Sequence, residues 1–421
     1  MQKINLKHIN ETLYYEKLDC GLQVYFIPKN NFNKTYVTLS TKYGAINNHF
    51  YDEDGNLKDV IPGTAHFLEH KIFELPDKSD AFMHLSNIGA QANAFTSHTQ
   101  TSYLFSTTTK LKEATDILLD FVYTDTFNEE STNREKGIIT EEVKMYQDYP
   151  YVMLQTALLK NMYKNNAIRD EVSGTVDDVL KIDYQHLKDV YRNYYHPSNM
   201  VFVACGKINV EEYIKQIKDK IASFTFKQPL KIYQNQFDEP ENVLVKQQVI
   251  EKNVNVSLFL MGIKLPLIKE NIAKEELKLS MLLSLILGES SQNYEQLFDE
   301  DLISDDFEVN LECEKDYNFI ILGGSSNNPE KLEKRLHDIL INKENHNFDE
   351  NDFNRLKKKL QGNFIMSLNS IENIVNVFTR YTFLNENYFS MNEILESISY
   401  NDIIELKNIF KEECISAAIL K

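Results

Sequence analysis

The chain of 421 residues contains an internal repeat, and this feature restricts the possible folds more than any other. At an offset of 221 positions the repeat pairs Phe127, Glu129, Asn133 and Arg134 with Phe348, Glu350, Asn354 and Arg355. At an offset of 219 it pairs Asp183, Leu187, Lys188 and Tyr191 with Asp402, Leu406, Lys407 and Phe410. Two similar offsets from separate segments favour a duplication over coincidence. We therefore expect two domains with the same fold.

A polar passage near the middle of the sequence separates the two copies. It contains Pro229 and Pro240 and lacks a sustained hydrophobic period, as is typical of a linker. We predict an N-terminal domain at residues 1–224, a linker at 225–242 and a C-terminal domain at 243–421.

Both halves mix strand and helix candidates. Stretches rich in β-branched and aromatic residues predict strands at Leu22–Ile27, Tyr36–Lys42, Thr101–Thr107, Val201–Ala204, Val243–Ile250 and Asn255–Gly262. Helical periodicity predicts helices at Leu111–Tyr123, Thr132–Gln147, Val210–Ile221, Glu270–Leu287 and Pro329–Leu340. Runs of strands followed by runs of helices predict an α+β fold of two homologous sandwiches, each a mainly antiparallel sheet covered by helices.

Charge and cysteine content exclude several classes of protein. The chain carries 45 Lys and Arg against 63 Asp and Glu, a net charge of −18, which would repel nucleic acid and anionic membranes. The longest apolar stretch, Leu279–Gly288, is about half a membrane span, and the first residues lack a signal-peptide core. The four cysteines are scattered, which fits reduced thiols. We predict a cytoplasmic protein.

One short segment, Pro62–Glu74, concentrates the candidate chemistry. His66 and His70 are four residues apart, so in a helix their imidazoles share one face and can bind one metal ion. Glu69 lies on nearly the same face, where it can accept a proton from metal-bound water without being a ligand. This is the H-x-x-E-H pattern of the inverzincin metallopeptidases. The alternative is a half-buried helix whose histidines are satisfied by backbone or carboxylate partners.

Such a site needs a third protein ligand, and the acidic helix predicted at Thr132–Gln147 offers candidates. Glu135 and Glu142 differ by only about 20° in azimuth, whereas Glu141 lies about 120° from Glu135. If this face meets the histidine helix, Glu135 and Glu142 meet it together. The alternative is a solvated acidic stripe, which is the commonest fate of helical glutamates.

These motifs resemble those of the pitrilysin or insulinase family of zinc metallopeptidases, in particular its half-length branch of bacterial processing proteases. The resemblance covers both halves and is carried by His66-Phe67-Leu68-Glu69-His70, Asn93-Ala94-Phe95-Thr96, Glu135-Lys136-Gly137-Ile138-Ile139-Thr140-Glu141-Glu142 and Tyr195-His196-Pro197-Ser198-Asn199-Met200. It implies one zinc ion per chain, with a set of ligands comprising His66, His70 and Glu142. It also implies Glu69 as the base and Glu135 as a catalytic support, in a clam-like half of a peptidase chamber.

The resemblance further implies where a peptide substrate binds. It gives the neighbourhood of Asn93, Ala94 and Phe95 the role of an edge strand, to which the peptide adds as another strand. The residues alone equally allow an ordinary strand with a polar turn. The remaining candidates, His84, His98 and His196, lack ligand spacing and are assigned to surface or packing roles.

The second half lacks the zinc ligands, since Leu356 stands opposite Glu135 and Asn363 opposite Glu142. In active family members this half supplies an Arg and, seven residues later, a Tyr, both of which contact the substrate. The corresponding stretch, Gly288–Phe307, contains no Arg or Lys, and Tyr294 comes too early. We expect a heterodimer with a paralogous subunit that supplies the Arg/Tyr pair. A substitute residue or a slipped alignment would leave a homodimer possible.

The sequence therefore predicts a zinc-dependent endopeptidase that cleaves peptides or small unfolded proteins in a chamber formed with a partner subunit. The alternative is a non-catalytic structural or regulatory subunit of a peptidase heterodimer, because the family includes chains that have lost the site. A third interpretation, metal storage or sensing, lacks the additional Cys or His ligands that it requires.

Overall fold

The structure, a computed structural model, describes residues 1–6 and 9–421. Its strands in the first half are β1 (Gln2–Leu6), β2 (Glu11–Lys17), β3 (Gln23–Pro28), β4 (Thr35–Thr41), β5 (His49–Tyr51), β6 (Leu57–Asp59), β7 (Gln91–Thr96), β8 (Thr101–Thr107) and β9 (Met200–Gly206). Those in the second half are β10 (Gln247–Ile250), β11 (Ser257–Lys264), β12 (Glu308–Cys313), β13 (Asn318–Ser326) and β14 (Ile415–Leu420).

Helices follow or interrupt these strands in both halves. The first half contains α1 (Thr64–Ile72), α2 (Ala81–Asn87), α3 (Leu111–Tyr123), α4 (Glu129–Gln147), α5 (Pro150–Met162), α6 (Val176–Lys181), α7 (Tyr184–Tyr194) and α8 (Val210–Ile221). The second half contains α9 (Ile272–Leu287), α10 (Gln292–Asp299), α11 (Pro329–Ile341), α12 (Glu350–Ser367), α13 (Ile371–Leu384), α14 (Met391–Ser397) and α15 (Tyr400–Leu406). The predicted α+β class is confirmed.

The two main sheets share one topology. The larger has the strand order β1-β2-β3-β9-β4-β8-β7, and the smaller has the order β10-β14-β11-β13-β12. In each, one parallel pair (β3 with β9, β10 with β14) is followed by antiparallel neighbours. The last five strands of the larger sheet therefore match the smaller sheet in order and direction, which confirms the duplication.

Packing divides the chain into two compact units. Unit 1 consists of Met1–Lys144, Glu171–Asn235 and Ser367–Phe383, and unit 2 of Met145–Asp170, Gln236–Met366 and Leu384–Lys421. Each unit thus includes a helix from the other half of the sequence: α13 lies almost wholly in unit 1, and α5 lies in unit 2. The repeat boundaries predicted from the sequence stay a prediction, because these units are defined by packing and not by the repeat.

The exchanged helices pack on the sheets of their units. In unit 1, Phe378 of α13 meets the ring of Tyr25 on β3 edge-to-face at 5.0 Å, and Glu372 pairs with Lys34 at 2.5 Å. In unit 2, α5 packs on β11 and β14. In the described part of the chain, no helix is both long enough and apolar enough to cross a bilayer.

Candidate metal centre

The helix that carries the two histidines, α1, begins at a tightly constrained glycine. Gly63 has φ +86°, a conformation that L side chains rarely adopt. A Cβ at this position would lie 2.5 Å from the carbonyl oxygen of Ser173. The hydroxyl of Thr64 then donates to the carbonyl of Ile61 at 2.6 Å. The start of α1 is therefore fixed by close backbone approach as well as by its own hydrogen bonds.

The opposite face of α1 anchors it in the core of unit 1. Phe67, Leu68 and Ile72 are almost fully buried, and burial of each such side chain is worth about 1.5–3 kcal/mol. A nine-residue helix is too short to be stable alone in water, so this packing decides its position. His66 and His70 consequently face away from the hydrophobic core, half-buried and side by side.

A similar argument fixes the rotation of α4. Ile139 and Val143 are fully buried, and Glu135 and Glu142 lie within about 60° of Ile139 around the helix axis. Glu141 points elsewhere: its side chain is 75% exposed and pairs with Lys144 at 2.7 Å. The buried apolar residues therefore aim Glu135 and Glu142, and not Glu141, at α1.

The side chains of His66, His70 and Glu142 converge. Nε2 of His66 lies 3.7 Å from Oε1 of Glu142, and Nε2 of His70 lies 3.3 Å from Oε2. One ligand atom from each of the three lies within 4.8 Å of the others, and no second such group of His, Cys, Asp or Glu occurs in residues 1–6 and 9–421.

This donor set fits a zinc ion. Two imidazole nitrogens and one carboxylate oxygen are ordinary zinc ligands, and tetrahedral bonds of about 2.0–2.1 Å place ligand atoms about 3.3 Å apart. The separations of the two histidine nitrogens from the Glu142 oxygens, 3.7 and 3.3 Å, are close to that value.

Glu135 contacts the outer nitrogen of one histidine. Its Oε1 lies 3.1 Å from Nδ1 of His70, the carboxylate–histidine contact that orients a metal-bound imidazole. Burial alone lowers the pKa of His70, but the hydrogen bond to Glu135 and the charges of Glu142, Glu135 and Glu69 together raise it.

His66 has a different environment. Burial, and secondarily the charge of His70, lower its pKa to about 4, so its ring is neutral at neutral pH, as metal binding requires. Its Nδ1 is buried and has no hydrogen-bond partner among the described residues. The protein thus orients His70 through a carboxylate but holds His66 by packing.

Glu69 lies next to this cluster and contacts the sheet. Its Oε2 accepts a hydrogen bond of 2.6 Å from Oγ1 of Thr96, the last residue of β7. Burial raises the pKa of Glu69, the Thr96 hydroxyl and the charge of His70 lower it, and the charge of Glu142 raises it, with a net increase. A half-buried carboxylate with a raised pKa is a better proton acceptor than an ordinary glutamate.

The predicted substrate-binding residues lie on β7. This strand ends the larger sheet and pairs with β8 on one side. Asn93 is exposed, and Ala94 and Phe95 are half-buried. The edge therefore has backbone groups that an added strand could pair with.

The other sequence candidates lie apart from the cluster. His84 bonds to Ser79 at 2.8 Å, and His196 caps a turn by accepting from the backbone of Ser198 at 3.1 Å. In the second half, Tyr294 lies in α10, and its ring is 6.5 Å from that of Phe298. None of these belongs to the His66–His70–Glu142 group.

Sequence reasoning missed several polar neighbours of the site. Glu74 joins α1 to α4, because it pairs with Lys71 at 3.0 Å and with Arg134 at 2.8 Å. Lys71 is almost fully buried, which is unusual for a lysine. The sequence signal that could have identified this ion pair is the position of a lysine on the apolar side of α1. Thr96 was part of a motif but had no assigned role.

Two family models match successive parts of the chain. The family described as Insulinase (Peptidase family M16) matches residues 55–176, which contain His66, His70 and Glu142 together with Glu69 and Glu135. The family described as Peptidase M16 inactive domain matches residues 181–360.

Related proteins match over nearly the whole chain. A Bacillus subtilis (strain 168) protein named uncharacterized zinc protease YmfH is 36% identical over 418 residues, which cover 98% of this chain and 96% of that protein. The crystal structure of an M16-like peptidase from Alicyclobacillus acidocaldarius matches with a TM-score of 0.92 and 28% identity, over 97% of this chain and 98% of that one.

A third match differs in length. The periplasmic protease PqqL from Escherichia coli matches with a TM-score of 0.79 and 18% identity, over 97% of this chain but 47% of that one. At this identity the likeness shows the fold alone.

Proposed function

Because the chain belongs to the insulinase family of peptidases, family M16, we propose that it is a zinc-dependent endopeptidase acting on peptides or small unfolded proteins. The observation that carries the proposal is the convergence of His66, His70 and Glu142 within 4.8 Å, with Glu69 beside them. The names of its relatives agree, since YmfH is called a zinc protease.

Each residue of the cluster has a separate task in this proposal. His66, His70 and Glu142 hold one zinc ion, and Glu135 keeps the ring of His70 in the ligating orientation through its 3.1 Å contact. Bound zinc would polarise the scissile carbonyl and acidify a water molecule. Glu69 takes a proton from the attacking water and later donates it to the leaving amine nitrogen.

The exposed edge of β7 takes the substrate. A peptide that adds as a strand beside Asn93, Ala94 and Phe95 is recognised through its backbone, so many side chains are tolerated. Thr96 ends the same strand and contacts Glu69, which links the peptide-binding edge to the proton acceptor.

The active enzyme is a heterodimer. The stretch Gly288–Phe307, where an Arg/Tyr pair is expected, contains neither Arg nor Lys, so a paralogous partner supplies the donors for the developing oxyanion. Removal of such donors typically costs about 10²–10³ in rate. Four scattered cysteines favour a cytoplasmic location.

A cleavage assay tests this proposal. The zinc-loaded chain alone, a candidate partner alone and the mixture are each incubated with a mixed peptide library, and products are identified by mass spectrometry. We expect feeble cleavage by the single chain, strong cleavage by the pair, and none when the chain carries Glu69→Gln. Full activity of the chain alone would disprove the heterodimer. Absence of Glu69-dependent cleavage in every mixture would favour the non-catalytic subunit.

A further inference from the structure

The hydroxyl of Thr96 donates a hydrogen bond to the carboxylate of Glu69. The Oγ1–Oε2 distance is 2.6 Å, which is typical of a strong hydrogen bond to a charged oxygen. Both side chains are half-buried, so water competes weakly for either group. Within the described residues this is the only hydrogen bond that the Glu69 carboxylate accepts.

Thr96 is held firmly in place. It is the last residue of β7 and lies opposite Thr101 of β8. The turn that follows is closed by a 2.8 Å hydrogen bond from the amide of Ser97 to the carbonyl of Gln100. The amide of Ala45 donates to the carbonyl of Ser97 at 3.1 Å and fastens this turn to the neighbouring loop. The backbone that carries the hydroxyl of Thr96 is therefore held in one position.

Glu69, in contrast, has only its backbone fixed by α1. A glutamate side chain has three rotatable bonds, and holding it in one conformation costs conformational entropy. The packing that anchors α1 acts through Phe67, Leu68 and Ile72 on another face of the helix. The carboxylate needs a partner of its own to keep one orientation.

We infer that Thr96 is a positioning residue, whose hydroxyl occupies Oε2 of Glu69 and so leaves Oε1 as the oxygen that exchanges the proton. This inference rests on the role proposed for Glu69. It goes further, because it makes the end of the peptide-binding strand responsible for the orientation of the base. A peptide paired with β7 and the carboxylate of Glu69 are then both positioned by the same strand.

Two substitutions at this position separate the hydroxyl from the rest of the side chain. Thr96→Val keeps the branched shape and the strand propensity but removes the donor. Thr96→Ser keeps the donor. Thr35→Val is a matched control, because Thr35 begins β4 of the same sheet and its hydroxyl donates to the carbonyl of Lys207 at 3.1 Å, away from the site.

The kinetic test uses the zinc-loaded chain with its partner. We expect Thr96→Val to lower kcat about 10–100-fold, as loss of an orienting contact does, with KM within about threefold because the strand backbone is retained. Thr96→Ser and Thr35→Val should stay near the wild type. Unchanged kcat in Thr96→Val, or loss of bound zinc in that variant, would overturn the positioning role.

A structural test does not depend on peptidase activity. Crystal structures of the zinc-loaded wild type and Thr96→Val should show one Glu69 conformer in the former and several, or a rotated one, in the latter. The same single conformer in both would overturn the inference. If no mixture shows Glu69-dependent cleavage, the proposed function fails, and this comparison still decides whether Thr96 orients the carboxylate.

Discussion

Two neighbouring glutamates of α4 give a sharp test of the metal centre. Glu142 is 24% exposed and lies between His66 and His70, whereas Glu141 is 75% exposed and pairs with Lys144. The substitutions Glu142→Gln and Glu141→Gln remove the same charge from adjacent positions. Only the first removes a group that can bind the metal, so only the first should weaken zinc binding.

The expected loss of zinc affinity in Glu142→Gln follows from the number of ligands. A four-ligand zinc site is worth about 10–16 kcal/mol, so one ligand contributes on the order of 3 kcal/mol. Each 1.4 kcal/mol is a factor of about ten, which gives a rise of about 100-fold in the zinc Kd of Glu142→Gln. Glu141→Gln should remain within about twofold of the wild type, because a salt bridge this exposed contributes little.

Competition with a chromophoric chelator measures both constants directly. Thermal unfolding with and without zinc checks the two dissociation constants, because the stabilisation of the folded protein by a bound ion depends on its Kd. A site that binds zinc 100-fold more weakly loses up to about 2.7 kcal/mol of this stabilisation. Equal losses in the two variants, or a larger loss in Glu141→Gln, would refute the rotation of α4 described above.

Other substitutions test the proton acceptor, the start of α1 and a buried ion pair. Glu69→Gln should keep zinc, measured by metal analysis, yet lose at least about 10²-fold in turnover, since in the proposed mechanism this carboxylate transfers protons and is not a zinc ligand; zinc loss would contradict that role. Gly63→Ala should cost about 2 kcal/mol or more in denaturant unfolding and weaken zinc binding, because the added Cβ meets the Ser173 carbonyl at 2.5 Å; an unchanged unfolding midpoint would contradict this. Glu239→Gln should cost about 3 kcal/mol at pH 7, because it leaves Lys264, which is 7% exposed, without its 2.7 Å partner. Burial raises the pKa of Glu239, but Lys264 and three backbone amides lower it by more, so the net pKa is lowered. The extra stability of the wild type over Glu239→Gln should therefore be full above the ordinary glutamate pKa and fade as pH falls through the lowered one. A stability difference that grows in acid would contradict this sign.

Local periodicity predicted some elements to the residue. Leu111–Tyr123 and Val210–Ile221 are helices and Thr101–Thr107 is a strand with the predicted bounds, because each has one buried and one exposed face or a clear β-branched composition. The predicted strand Val243–Ile250 is shorter, since only Gln247–Ile250 pairs with β14. Ile415–Leu420 was missed because this central strand is buried on both faces and shows no alternation.

The candidate site likewise contains features that local sequence patterns predict and one that they do not. The spacing of His66 and His70, and the shared face of Glu135 and Glu142, follow from helix geometry alone, so sequence reasoning could identify them. The hydrogen bond between Glu69 and Thr96 joins residues 27 positions apart on a helix and a strand. It depends on how α1 packs against the sheet, which local patterns do not specify.

The exchange of α5 and α13 between the two units affects how the chain is made on the ribosome. Unit 1 receives most of its residues by Asn235 but is completed only by Ser367–Phe383, about 150 residues later. At about 5–20 residues per second, this delay lasts roughly 7–30 s. During that time the part of the sheet that meets Phe378 and Glu372 has no cover. The nascent unit that carries His66, His70 and Glu142 is therefore incomplete until the segment Ser367–Phe383 has been translated.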